Sequence, residues 1–193
     1  TLTVDLAMLA GHAWIDLGRL DEAEATLAAA AAAARVAGDA TRTAAASLSM
    51  ARLLYWRGRY ADADATLRQI ADPQPRAIQV QRSLLGARVS TGQRDYSGAM
   101  AAASAARQAA TDANDPVLVA AAAYATAFVH MAVADWAAVD RDSAASIVAA
   151  RTAHDPLRAI RARLLRAEAE RRQGRVAAAR ADLHHLRRIT ATL

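Results

Sequence analysis

The stretch Gly18-Arg19-Leu20-Asp21-Glu22-Ala23 returns as Gly58-Arg59-Tyr60-Ala61-Asp62-Ala63 and again as Gly174-Arg175-Val176-Ala177-Ala178-Ala179. Each block ends one amphipathic segment and begins another. Glycine tolerates the left-handed conformation that stops a helix. The large apolar residue two positions on can wedge between paired helices, and the later Ala lets them approach closely. Leu27, Leu67 and Leu183, each nine residues after its glycine, are expected to extend the buried face of the second helix. Two degenerate copies fill the gap: Gly92 with Tyr96 and Ala99, which needs two extra turn residues, and Ala134-Asp135-Trp136, where Ala replaces the glycine. With anchors at 18, 58, 92, 134 and 174, the intervals are 40, 34, 42 and 40 residues.

Independent punctuation falls between these anchors. Asn114-Asp115-Pro116 and His154-Asp155-Pro156 each place an N-cap Asp before a Pro at the first helical position, where a missing N–H costs nothing. Gly38-Asp39 and Pro73-Gln74-Pro75 occupy the matching joints, so all four Pro lie at expected boundaries. The pattern predicts ten helices, near 2–17, 21–37, 41–57, 60–71, 75–91, 95–112, 116–133, 136–153, 156–173 and 176–190. They group into one array over 1–193, with approximate repeats 2–38, 39–72, 73–112, 115–153 and 155–190.

Composition agrees. Of the 193 residues 57 are Ala, which favours helix over strand, and only 4% are aromatic. A core of small side chains buries little area per residue, so stability must come from many close helix contacts along the chain, an extended stack rather than a globule. No apolar run reads as a membrane span, Ala28–Ala34 and Val117–Val129 being too short or too Ala-rich, so a soluble, cytoplasmic protein is expected. The chain opens at Thr1 rather than Met, as a processed or excised fragment would. Without Cys there is no disulfide framework and no thiolate metal site or nucleophile.

Charge is lopsided. All 24 basic residues are Arg; residues 151–193 hold 11 Arg against four acids, and residues 1–150 hold 13 Arg against 15 acids. Arg158, Arg161, Arg163, Arg166 and Arg172 point several ways around a helix, which reads as a solvated surface rather than a nucleic-acid face.

A glycine, a bulky residue two later and an Ala three after that, preceded by Gly11 and Trp14 in one repeat and Met50, Ala51 and Leu54 in the next, resembles the tetratricopeptide (TPR) motif. The likeness is good in the first two repeats and weaker in the last three. A period near forty is also similar to the TPR regions of bacterial transcription regulators such as MalT-like or sigma-54-type activators. The resemblance implies an all-α, right-handed α-solenoid of about five antiparallel helix pairs whose first helices line a concave groove. In that register Asp5, Met8, His12 and Asp16 face the groove, followed by Arg52, Tyr55 and Trp56, then Arg82, then Tyr124 and Phe128, then Arg161 and Arg172. Arg beside exposed aromatic rings suits peptide capture through carboxylate contacts and stacking. The competing role for Tyr55, Trp56 and Phe128 is packing between repeats, and Trp14, Tyr60, Tyr96 and Trp136 are expected to be packing residues outright. The Lys/Asn carboxylate clamp of some TPR proteins is not matched, since Lys is absent and the one Asn is Asn114 at a joint.

Chemistry beyond binding has little footing. There is no Walker A loop, no Gly-x-Ser-x-Gly and no His-Glu-x-x-His, and Asp21, Glu22 and Glu24 read as first-turn acids that stabilise the helix dipole. A non-catalytic scaffold for a protein or peptide partner, without cofactor or metal, is expected; the alternative is an effector-sensing or autoinhibitory region of a larger regulator. The last helix carries Val176, Leu183, Leu186 and Ile189 with no successor to cover them, which predicts weak homodimerisation through that stripe.

Overall fold

The computed structural model describes residues 2–72 and 74–190. Among them the chain forms ten helices: α1 (Leu2–Asp16), α2 (Leu20–Val36), α3 (Ala40–Trp56), α4 (Tyr60–Arg68), α5 (Arg76–Gly92), α6 (Tyr96–Asp112), α7 (Pro116–Ala132), α8 (Trp136–Thr152), α9 (Pro156–Arg172) and α10 (Val176–Thr190). The described residues form no strand. Nine of the ten follow the expected bounds closely. The exception is α4, which stops at Arg68 rather than running on to residue 71. Pro73 lies outside the described residues; Pro75 precedes the first residue of α5, and Pro116 and Pro156 open α7 and α9.

Eight of the helices stop for a common reason. Gly18, Gly38, Gly58 and Gly174 take φ between 65° and 77°, and Arg94, Asn114, Ala134 and His154 take φ between 50° and 64°. At seven of these eight positions the N–H of the left-handed residue bonds the carbonyl three back, and the next N–H bonds the carbonyl five back, as in Arg19 to Trp14 at 2.9 Å and Arg175 to Glu170 at 2.8 Å. That pair of bonds satisfies carbonyls the helix end would otherwise strand. Restarting the chain needs a cap on the other side. Asp39, Asp115, Asp135 and Asp155 supply it, each carboxylate accepting from backbone N–H groups two or three residues on.

These positions correct the third anchor. The left-handed residue there is Arg94, and Gly92 is the last residue of α5. With Arg94 the anchors stand 40, 36, 40 and 40 residues apart, and Tyr96 falls two after its anchor like Leu20, Tyr60, Trp136 and Val176, with no extra turn residues. Gly92 serves close packing instead, since a Cβ there would sit 2.7 Å from the Tyr60 ring. The missing four residues belong to the half-repeat containing the short α4.

Two further columns appear once the anchors are aligned. Seven residues before each anchor stand Gly11, Ala51, Ala87, Ala127 and Ala167, all buried. Five after stand Ala23, Ala63, Ala99, Val139 and Ala179, all buried. Small residues on facing helices permit the close approach that an Ala-rich core requires. At Gly11 the fit is so tight that a Cβ would lie 2.5 Å from Leu27 Cδ2.

The chain divides into two compact units, Thr1–Asp95 and Tyr96–Leu193. In each, consecutive helices pack as antiparallel hairpins, the α-solenoid mode of stacking. In the first unit α1 also touches α3 and α3 touches α5; in the second α7 touches α9. Among the described residues the second helices of successive repeats make no comparable approach. Within each unit the first helices therefore form the closer inner row and the second helices the wider outer row, which is how such stacks acquire curvature.

Candidate functional site

The inner row of the first unit is stitched by polar contacts between α1 and α3. Arg42 donates through Nε and Nη2 to Asp5 at 2.9 Å each and through Nη1 to Asp39 at 2.6 Å. His12 Nε2 lies 2.8 Å from Ser49 Oγ. Arg52 Nη2 donates to Asp16 at 2.7 Å. The partners are 36 or 37 residues apart in sequence, about one repeat less a turn, so the same face of each first helix meets its neighbour. The Arg42 bonds hold the Asp5 and Asp39 carboxyls below the usual range, and burial pushes the His12 imidazole down, with the nearby Arg52 acting in the same direction.

At the C-terminal end of α3 the aromatic residues divide. Tyr55 packs against the core of Leu54, Ala63, Leu67 and Val89, with Trp56 edge-on at 5.8 Å and Tyr60 tilted at 5.7 Å. Trp56 stays 55% exposed. The packing role weighed for both residues thus fits Tyr55 and does not fit Trp56. Trp14 and Trp136 are half-buried, each under a guanidinium, Arg19 at 4.3 Å and Arg172 at 5.3 Å from the ring centre. Such stacking suits a structural ring at a repeat boundary.

Arg82 stands elsewhere. It donates to the Ile70 carbonyl at 3.0 Å and to Asp72 at 3.2 Å, capping the chain just beyond the shortened α4. There it lines an open cleft of about 410 Å³ with Asp64, Leu67, Arg68, Ser83 and Gly86. In the second unit Tyr124 and Phe128 are half-buried on α7, and Arg161 is exposed on α9. The structure therefore brings His12, Arg52, Tyr55 and Trp56 onto or beside the α1–α3 face, puts Arg82 at the α4–α5 cleft, and places Tyr124, Phe128 and Arg161 in the second unit.

Sequence reasoning missed Arg42 and Ser49, which complete the ladder. Their signal was available: polar pairs separated by 35 to 37 residues recur as Asp21 with Arg57, Arg107 with Asp142 and Asp140 with Arg175. It also missed the acid cluster between α9 and α10, where Asp182, 6% exposed, accepts from Arg163 at 2.8 Å and Arg166 at 2.6 Å. Burial and the neighbouring Asp182 raise the Glu170 carboxyl there.

Two expectations at the last helix need correction. Leu183 is 49% exposed, whereas Leu27 is buried in a cluster with Leu53 and Leu67 in one with Val89. Leu186 is buried inside its own unit and Ile189 is half-buried, so the two do not form an exposed stripe with Leu183. No cluster of three or more His or acidic groups able to hold a metal occurs among the described residues, and none of their helices is long and apolar enough to cross a membrane.

No family model and no curated protein matches the chain. Among solved structures, the crystal structure of the apo form of RapI superposes with a TM-score of 0.63 at 11% identity, covering 100% of this chain and 55% of RapI. The chain shares its fold with RapI. At that identity the likeness concerns architecture alone, a TPR-like helical repeat, and the chain spans about half of RapI's length.

Proposed function

We propose that the protein is a non-catalytic, cytoplasmic scaffold that captures a peptide or protein segment on the inner row of first helices, with the α1–α3 face as its principal contact. The observation that carries this reading is Trp56, 55% exposed at the end of that face, beside Arg52. A large ring left in solvent on an inner row costs apolar exposure that a docked side chain would remove. Arg52 is bound to Asp16, whose side chain is 54% exposed, so a partner carboxylate competes with a solvated acid rather than with a buried one. The Arg42 and His12 contacts hold α1 against α3 before any partner arrives, which lowers the ordering cost of binding. In the second unit, Tyr124, Phe128 and Arg161 are assigned the equivalent role on α7 and α9. Nothing in the comparisons favours the narrower resemblance to MalT-like or sigma-54-type regulators.

The test is selection from a random-peptide display library with the wild-type chain and the Arg52→Ala/Trp56→Ala double variant. Peptides enriched by the wild type should lose binding to the variant at unchanged helicity. Peptides that bind both equally would remove the face from the account, and no enrichment at all would count against peptide capture.

A further inference from the structure

In the second unit the outer row carries a charged surface separate from the inner row. Seven, fourteen and seventeen residues after its anchor, a full-length second helix turns side chains out to solvent, one stripe at helical spacing. On α2, which packs against both α1 and α3, the stripe is Ala25, Ala32 and Arg35, all exposed. On α8, packed against α7 and α9 in the same way, it is Arg141, Val148 and Arg151, again all exposed, Val148 by 64%. Exposure of this stripe therefore belongs to the position and needs no absent neighbour. Its charge is uncompensated. Among the described residues the Arg151 guanidinium has neither a hydrogen-bond nor an ion-pair partner, and the same holds for Arg188, which stands on α10 where Val148 stands on α8. Arg141 comes no closer than 3.9 Å to a carboxylate, the Asp142 oxygen that already accepts from Arg107 at 3.1 Å. The other acids between Trp136 and Thr190, namely Asp140, Asp155, Glu168, Glu170 and Asp182, lie against different arginines.

We propose that the outer stripe of α8 docks an acidic peptide segment, which sets carboxylates on Arg141 and Arg151 and an apolar side chain between them on Val148. Guanidinium groups free of acids in their own chain offer their paired N–H donors to an incoming carboxylate without first breaking an ion pair. The two arginines stand ten residues apart on one helix, about 15 Å, a span that an extended segment covers in about five residues. Val148 between them gives such a segment apolar area to bury. A single-stranded nucleic acid matches the stripe less well. None of Tyr96, Tyr124, Phe128 and Trp136, the aromatic residues of this unit, lies on it to stack a base, and a sugar-phosphate chain would leave Val148 uncovered. The surface is independent of the inner-row face and does not rest on it.

Fluorescence anisotropy on the full chain tests this with a short labelled peptide that holds Glu pairs on either side of a Leu, its Gln-for-Glu and Ser-for-Leu counterparts, and a labelled single-stranded oligonucleotide of similar charge. The stripe residues are exposed, so Arg141→Gln/Arg151→Gln and Val148→Ser leave the core untouched. The wild type should bind the Glu peptide, more tightly at low salt, and its Gln counterpart about tenfold more weakly. Arg141→Gln/Arg151→Gln should lose about tenfold for the Glu peptide, the worth of two exposed ion pairs, while Arg52→Ala/Trp56→Ala keeps the wild-type affinity. Val148→Ser should bind the Leu and Ser peptides alike. A wild type that ignores the Glu peptide would overturn the proposal, as would equal binding by the Arg141→Gln/Arg151→Gln variant or a loss seen with the Arg52→Ala/Trp56→Ala variant instead. An oligonucleotide that binds more tightly than the Glu peptide through the same arginines would overturn it too and make the face one for nucleic acid.

Discussion

Ala134→Gly should stabilise the protein, an unusual expectation for placing glycine at the end of a helix. Ala134 sits at φ 58°, where a Cβ crowds the following carbonyl at a cost of roughly 1–2 kcal/mol. Glycine removes that cost and gives back roughly 0.5–1 kcal/mol through the greater freedom of the unfolded chain. The net gain is about 0.5–1 kcal/mol, or roughly 1–4 °C in melting temperature for a chain of this size. Gly58→Ala is the mirror experiment. At φ 72° with no atom within 4 Å of an added Cβ, its cost is purely backbone and amounts to about 1 kcal/mol. Urea unfolding followed by far-ultraviolet circular dichroism resolves changes of this size. Were Ala134 instead part of a continuous helix, glycine would cost about 1 kcal/mol there. The sign of the Ala134→Gly effect is therefore decisive, and a destabilised variant refutes the turn assignment.

Other substitutions probe packing and charge. Gly11→Ala forces a methyl group against the fully buried Leu27 and should lower stability by about 1–3 kcal/mol in the same urea assay. Asp182→Ala strands two partly buried guanidinium groups and should cost about 3 kcal/mol, read as a lower melting temperature, whereas Asp16→Ala removes an exposed pair and should cost under about 1 kcal/mol. The His12 imidazole is depressed in the folded chain, so between its lowered value and 6.5 the unfolded chain binds more protons. Stability should fall as pH drops below 6.5 and be insensitive to His12 above it. His12→Gln should flatten that part of a melting-temperature profile, and an unchanged slope would contradict the burial.

Much of the fold is legible in the sequence because its punctuation is chemical. Gly18, Gly58 and Gly174 announce left-handed turns, and Asp115-Pro116 and Asp155-Pro156 announce helix starts. The third turn misleads because its left-handed residue is Arg94, which carries no such signature, while a true glycine two residues earlier exists for an unrelated reason, the Tyr60 ring packed over it. The short α4 is equally hidden, since residues 69–71 are compatible with helix, yet the helix stops at Arg68 and the Ile70 carbonyl accepts from Arg82 instead. The candidate face is legible as a helix stripe but not as a chemical state. That Arg52 is already engaged by Asp16, or that Arg82 caps the chain after α4, depends on which repeat lies alongside, and local pattern says nothing of that. Trp56 and Tyr55 are adjacent letters with opposite fates, exposed and packed, because adjacent helical residues point about 100° apart.

The claim beneath the functional reading is that α1 and α3 lie side by side and present one continuous inner face. A NOESY spectrum of the isotope-labelled chain measures this directly. Cross-peaks between the His12 imidazole and the Ser49 side chain, and between Asp16 and Arg52, are the expected result. A helical chain with neither set of cross-peaks would contradict it.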